Sequence, residues 1–264
     1  MRISSELESY LGSFSCKRMT EIDDCERIID GFTNDRGGSI LSRFKEKGLD
    51  EDTIGDIAYY VILRSDNVPC LFFSLQCGAL YDVPFDDKKH KQMIALFGEN
   101  TSWSEDPKKQ KWYTSIKNRF VYFIEDLKRE GGRNINRVNK LFSSVELVHF
   151  CVNEVVKDDL DSRFFPHKTG EVLYWRFIVP KLLEIKNKVG CCYVHLFAAD
   201  SSADGRLINH YREYLKFERN DKLGTCKPFY DFKCAFMSQK LSVLKREMNL
   251  FFDNYSLDDG ALIV

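Results

Sequence analysis

"CCYVHLFAADSSADGRLINHYREYLKFER", residues 191–219, begins as a continuous apolar run, breaks at a turn and re-emerges as a polar segment that carries two tyrosines. An apolar run of this length bounded by turn residues reads as a buried strand. Ala203-Asp204-Gly205 supplies the turn. The segment after it predicts a helix with Tyr211 and Tyr214 on it, ending abruptly on Lys216-Phe217. A helix that only packs has no need of such an ending. One that must hold a hydroxyl near the end of a strand does.

Working outward, "VELVHFCVNEVV" (145–156) predicts a second strand. A polar loop, 157–170, leads from it to "EVLYWRFIVPKLLEIKNKVG" (171–190), which is apolar nearly all round and so predicts a helix buried on more than one side. Pro180 must kink or split that helix, and Gly190 ends it directly before the strand of the opening stretch. Further strands are expected near "FER" (217–219) and "YDFKCAFM" (230–237). A closing amphipathic helix follows, striped by Leu241, Leu244, Met248 and Phe251.

In the first half, residues 1–50 read as helical. One helix is placed over Met19 to Phe32, with Ile22, Cys25, Ile28 and Ile29 on one face. "IAYYVILRS" and "VPCLFFSLQ" then form a hairpin around Ser65-Asp66-Asn67. Residues 77–144 are charged and helix-periodic and read as a helical insertion between the third and fourth strands. The expected architecture is a single mixed α/β (α+β) domain over 1–264, a central mixed sheet flanked by helices.

Composition limits the partners. The 39 Lys and Arg nearly cancel 40 Asp and Glu, so no overall field draws the chain to nucleic acid or to an anionic membrane, and neither is expected. The opening "MRISSELESYLGSF" lacks the basic start and apolar centre of a signal peptide, and no apolar run nears the roughly 18 residues of a membrane span. Nine cysteines, an odd number with no C-x-x-C, lie mostly in strand-like runs (Cys70, Cys151, Cys191, Cys192, Cys234) and read as reduced, cytoplasmic thiols. His149 and His195 lie within strand-like runs and read as core histidines. No zinc spacing, nucleophile elbow or P-loop is present, so no metal is expected.

The turn before the 171–190 helix is the most informative candidate site. A helix start offers unpaired N–H groups and a partial positive charge that suit a phosphate. Gly170 permits close approach, and His167 and Lys168 stand beside it. The same residues also read as a plain polar turn with Thr169 as N-cap.

Taken together, hairpin, strand, glycine turn, helix, strand and Tyr-bearing helix resemble the GNAT N-acetyltransferase superfamily over about residues 50–76 and 145–240. Its phosphate motif, Gln/Arg-x-x-Gly-x-Gly/Ala, is matched by "HKTGEV" at Gly170, with His167 for Gln/Arg and Val172 for Gly/Ala. Its later motif, Asn-x-x-Ala-x-x-x-Tyr-x-x-x-Gly-Phe, is echoed by "DGRLINHYREYLKF". Asp204 stands where Asn is common, Lys216 replaces glycine, and Tyr211 lies one residue further from Phe217 than usual.

The resemblance implies acetyl-CoA lying between the fourth and fifth strands. Its pyrophosphate would meet the turn of His167, Lys168, Thr169, Gly170, Glu171 and Val172. Its pantetheine would run along Cys151, Val152 and Asn153, with Asp204 nearby. The implied reaction is direct acetyl transfer to an unidentified primary amine. Tyr211 would protonate the leaving thiolate, with Tyr214 as the alternative, and Glu154 would act as base ahead of Glu146. Two other readings stay open: a catalytically degenerate GNAT-fold binding module, and an unrelated α/β protein with some other phosphate ligand.

Overall fold

The computed structural model of the chain describes residues 5–35, 38–82, 141–156, 169–200, 202, 204–220, 222–225 and 234–255. Contacts divide the chain into two compact units. One comprises Met1–Gly78, Ser143–Arg219 and Lys233–Val264, and the other Ala79–Phe142 and Asn220–Phe232.

The first unit begins with α1 (Ser5–Gly12), β1 (Ser15–Arg18), a 3-10 turn (Met19–Glu21), α2 (Cys25–Asp30) and α3 (Gly38–Ile54). The helix expected over Met19 to Phe32 is therefore broken: Ile22 is extended at φ −103°, ψ 116°, and α2 starts only after Asp24. Its apolar face survives the break, since Cys25, Ile28 and Ile29 are buried and Ile22 packs beside them.

β2 (Ala58–Leu63) and β3 (Pro69–Asp82) form the expected antiparallel hairpin. The Asn67 N–H closes its turn on the Arg64 carbonyl. β3 and β4 (Leu141–Val152) reach into the ends of the stretch expected to be a helical insertion, and residues 83–140 of that stretch lie outside the described residues. In the second unit the end of β3 pairs antiparallel with β6 (Leu223–Thr225), and the Thr225 hydroxyl donates to the Ala79 carbonyl.

After β4 comes α4, 169–189, then β5 (Tyr193–Ala198), α5 (Arg206–Glu213), β7 (Ala235–Lys240) and α6 (Leu241–Asp253). The strand order is β1-β2-β3-β4-β5-β7, with β4 and β5 parallel and β5 and β7 antiparallel. The strand expected at "FER" shrinks to one bridge, Glu218 with Ser238.

Pro180 bends α4 in a definite way. It has no N–H to give the carbonyl four residues back, and its ring presses on that carbonyl. The helix widens to a π-turn over Tyr174–Ile178, and the Val179 N–H bonds the Tyr174 carbonyl. Tyr174 and Trp175 are thereby both turned inward and fully buried, which accounts for the apolar composition all round. Gly190, in the left-handed region at φ 71°, ends the helix and donates to the Lys186 carbonyl.

Two apolar clusters lie on opposite faces of the sheet. One gathers α1, α4 and α6 with Val145, Leu147, Val194, Leu196 and Met237. The other gathers α2 and α3 with Tyr59, Val61, Phe72 and Cys151. Each large apolar side chain so buried contributes about 1.5–3 kcal/mol.

Candidate functional site

β4 changes face in mid-strand. Val145 and Leu147 belong to the cluster under α4, whereas Val148 packs on the α2–α3 side. Phe150 and Val152 return to the α4 side, and Cys151 is on the other. Strict alternation cannot put both Leu147 and Phe150 on one face. An extra residue is therefore taken up at Val148-His149, a β-bulge, which bends a strand and ends its regular pairing. His149 fills the bulge. Its Nδ1 lies 2.7 Å from the Ser74 hydroxyl, and its ring stacks on Tyr59 at 5.6 Å.

The consequence is an opening in the sheet. β4 and β5 pair only from Ser144 with Tyr193 to Glu146 with His195, although β4 continues to Val152 and β5 to Ala198. Past that rung the two parallel strands part at their C-terminal ends, where open α/β sheets take their ligands. The Asn153 N–H bonds the Cys70 carbonyl on β3. By alternation the backbone groups of Phe150 and Val152 turn to the opposite edge, the one β5 has left. The Val152 carbonyl there accepts the Asn34 amide at 2.8 Å.

The first turn of α4 is pressed against this strand end. A methyl group on Gly170 would come within 3.2 Å of Val152 Cγ2 and 3.3 Å of Phe150 Cζ, so a side chain there would require those two side chains to give way by a few tenths of an ångström. The closeness that the sequence offered to a ligand brings Gly170 against β4 as well. Thr169 is the first helical residue, and Val172 is fully buried. Glu171 is only 1% exposed. Its carboxylate turns inward, with Oε1 3.8 Å from His210 Nδ1 on α5. His167 and Lys168 lie outside the described residues.

Tyr211 sits on α5, its ring against the α4-side cluster and edge-on to Phe217 at 6.3 Å. Burial, then the nearby Cys151 thiol, push its phenol up to about 12, so it holds its proton at neutral pH. The helix ends as the sequence foreshadowed. The Tyr211 carbonyl accepts the Phe217 N–H, and Lys216 takes the left-handed conformation at φ 63° in the glycine's place. Phe217 is fully buried. Tyr214 stands at the helix end, 42% exposed, its carbonyl accepting the Trp175 indole.

The other candidates fall into place less centrally. Asn153 is fully buried and saturated. Its Nδ2 donates to the Gly31 and Pro69 carbonyls, and its Oδ1 accepts from Thr33 and Val155. Glu154, just past β4, accepts the Asp35 N–H. Asp204 is exposed and paired with Arg206 at 2.7 Å. Sequence reasoning passed over Asp200, at the end of "FAAD". Its carboxylate accepts the Ser202 hydroxyl and the Ser202 and Ile208 N–H groups, fixes the entry to α5 and is held below the usual carboxylate range by those bonds, the hydroxyl's first. The Asp and Ser before a helix were the available signal. Among the described residues no cluster of His, Cys, Asp or Glu is grouped to hold a metal, and no helix is long and apolar enough to cross a membrane.

No protein-family model and no curated protein matches the chain. Solved structures do. A Tyr-to-Phe mutant of the AtaT toxin matches at TM-score 0.51 and 9% identity, over 89% of this chain and 93% of that one. AtaTR bound with acetyl-CoA matches at 0.49 and 10%, over 89% and 98%. AtaT complexed with acetyl-methionyl-tRNAfMet matches at 0.46 and 9%, over 90% and 99%. The first of these supports the fold expected from the sequence, a central mixed sheet flanked by helices. The expected absence of nucleic acid among the partners finds no support.

Proposed function

We propose that the chain is an acetyl-CoA-dependent N-acetyltransferase acting on a primary amine by direct transfer. The observation that carries this reading is the parting of β4 and β5 beyond Glu146 and His195, with the first turn of α4 packed on the end of β4. The N-terminal amides of α4 would hold the pyrophosphate, aided by His167, Lys168 and Thr169, with Asp204 at the rim. Cys151 and Val152 would flank the pantetheine. Asn153 would serve by anchoring the strand end, because its side chain is fully engaged.

Acetyl-CoA supplies an activated thioester carbonyl. Glu154 would take a proton from the amine, directly or through water, so that its lone pair can attack. An amide of β4 at the open edge would donate to the oxyanion. As the carbon–sulfur bond breaks, Tyr211 would give its proton to the thiolate; a phenol held near 12 remains a donor at pH 7. Tyr214 is the poorer donor for its exposure. The near-even charge leaves the acceptor open, and an amine on a small metabolite, a protein or an aminoacyl nucleic acid fits the same chemistry.

Calorimetric titration tests the reading: acetyl-CoA and CoA should both bind saturably and ATP should not. Release of CoA with an amine then tests turnover. Binding without turnover against any amine would favour the second reading, a GNAT-fold binding module, to which the buried Glu171 and Val172 in the phosphate motif point. No binding at millimolar ligand would sink both.

A further inference from the structure

Glu171 stands at the unspecified position between the two small residues of the phosphate motif, and it is the one acid in the first turn of α4. A carboxylate at a helix start is favoured by the partial positive charge there, which is the same charge a phosphate would use. At 1% exposure its carboxylate is shielded from water. Across from it, His210 Nδ1 lies 3.8 Å away on α5, one residue before Tyr211, with the imidazole stacked obliquely at 5.3 Å from the Tyr214 ring. Beyond the end of α6 the Tyr255 phenol is raised by burial first and then by the Glu171 carboxylate.

Resting on the acetyltransferase reading, we infer that Glu171 is an internal anion that competes with the coenzyme's phosphates for the start of α4, and that His210 moderates that competition as its partner from α5. The inference reverses the sign expected of a buried, well-packed residue. Removing the charge while keeping the shape should tighten the coenzyme, although it removes a side chain from the interior. Removing the imidazole should weaken the coenzyme, but only while Glu171 is present. The pair would thus set the affinity of the turn and tie it to the helix that carries Tyr211, and the two residues act by positioning and charge, without touching the reacting atoms.

The experiment is a double-mutant cycle read by calorimetric titration with CoA: wild type, E171Q, H210Q and E171Q/H210Q. Expected are about fivefold tighter binding for E171Q, about threefold weaker for H210Q, and no further effect of H210Q in the E171Q background. Unchanged or weaker binding by E171Q, with the wild type binding, overturns this inference alone. An H210Q loss that persists in the double mutant does the same, because His210 then acts independently of Glu171. Failure of all four proteins to bind overturns the acetyltransferase reading and this inference with it. If E171Q does not fold, H210Q at this part-exposed position remains decisive: binding equal to or tighter than wild type overturns the inference.

Discussion

Tyr211→Phe isolates one oxygen. The ring contact with Phe217 and the Tyr211 carbonyl bond to Phe217 are kept, so fold and coenzyme cleft should be kept as well. If the hydroxyl protonates the leaving thiolate, kcat falls about 100-fold or more while the CoA dissociation constant stays within about twofold, a split that steady-state rates and calorimetry measure together. Tyr214→Phe, at an exposed helix end, should leave both within about twofold. An unfolded Tyr211→Phe protein would make the tyrosine a packing residue. The tyrosine and its buried Phe217 anchor were legible because a hydroxyl, a turn and an aromatic at fixed spacing are local features. The role of Asn153 was not. Its partners, Gly31, Thr33 and Pro69, lie about 80 to 120 residues away in sequence, and nothing near "CVNEVV" announces them.

The element that matters most is β4, and its stability can be tested from both ends of the bulge. Asn153→Ala leaves the Gly31 and Pro69 carbonyls and the Thr33 N–H without their side-chain partner in a buried place. Unfolding in denaturant should show a loss of about 2–4 kcal/mol, and an unchanged stability would mean water replaces the amide. His149, at the bulge, is lowered to about 4, chiefly by burial and then by Arg43, so it stays neutral in the fold. An unfolded histidine titrates near 6.5, so between these values the unfolded chain binds more protons. Stability from this group is intact above pH 6.5, declines as pH falls, and is fully lost below about 4, a drop of about 3 kcal/mol. His149→Gln should flatten that acid limb, and an identical limb would assign it to other groups. The hairpin, β4, β5 and the Pro180 distortion were readable from pattern, whereas β1, inside a stretch read as helical, and the three-residue β6 were not. The bulge was not, because "VELVHFCV" is apolar enough to alternate either way, and only the clusters on its two sides fix the slip.

At the scale of the whole molecule, the order of elements was legible where each is set by local pattern. The charged, helix-periodic stretch 77–144 begins and ends within two residues of the division after Gly78 and before Ser143, whereas nothing local announces that Asn220–Phe232 joins the second unit from far along the sequence. The division has a thermodynamic consequence. A ligand stabilises only what it binds in the folded state, and the parted strands, α4 and α5 all belong to the first unit. At 100 times its dissociation constant acetyl-CoA should add about 2.7 kcal/mol to that unit. For a domain of this size that raises the melting temperature by about 5–10 °C. Scanning calorimetry with increasing acetyl-CoA should therefore move one transition, and leave a second one, where the two units melt separately, at its ligand-free temperature. Equal movement of two resolved transitions would mean that the coenzyme also engages the second unit. No movement of any transition at millimolar acetyl-CoA would remove the coenzyme from the site, and with it the reason for Tyr211 to serve as a proton donor.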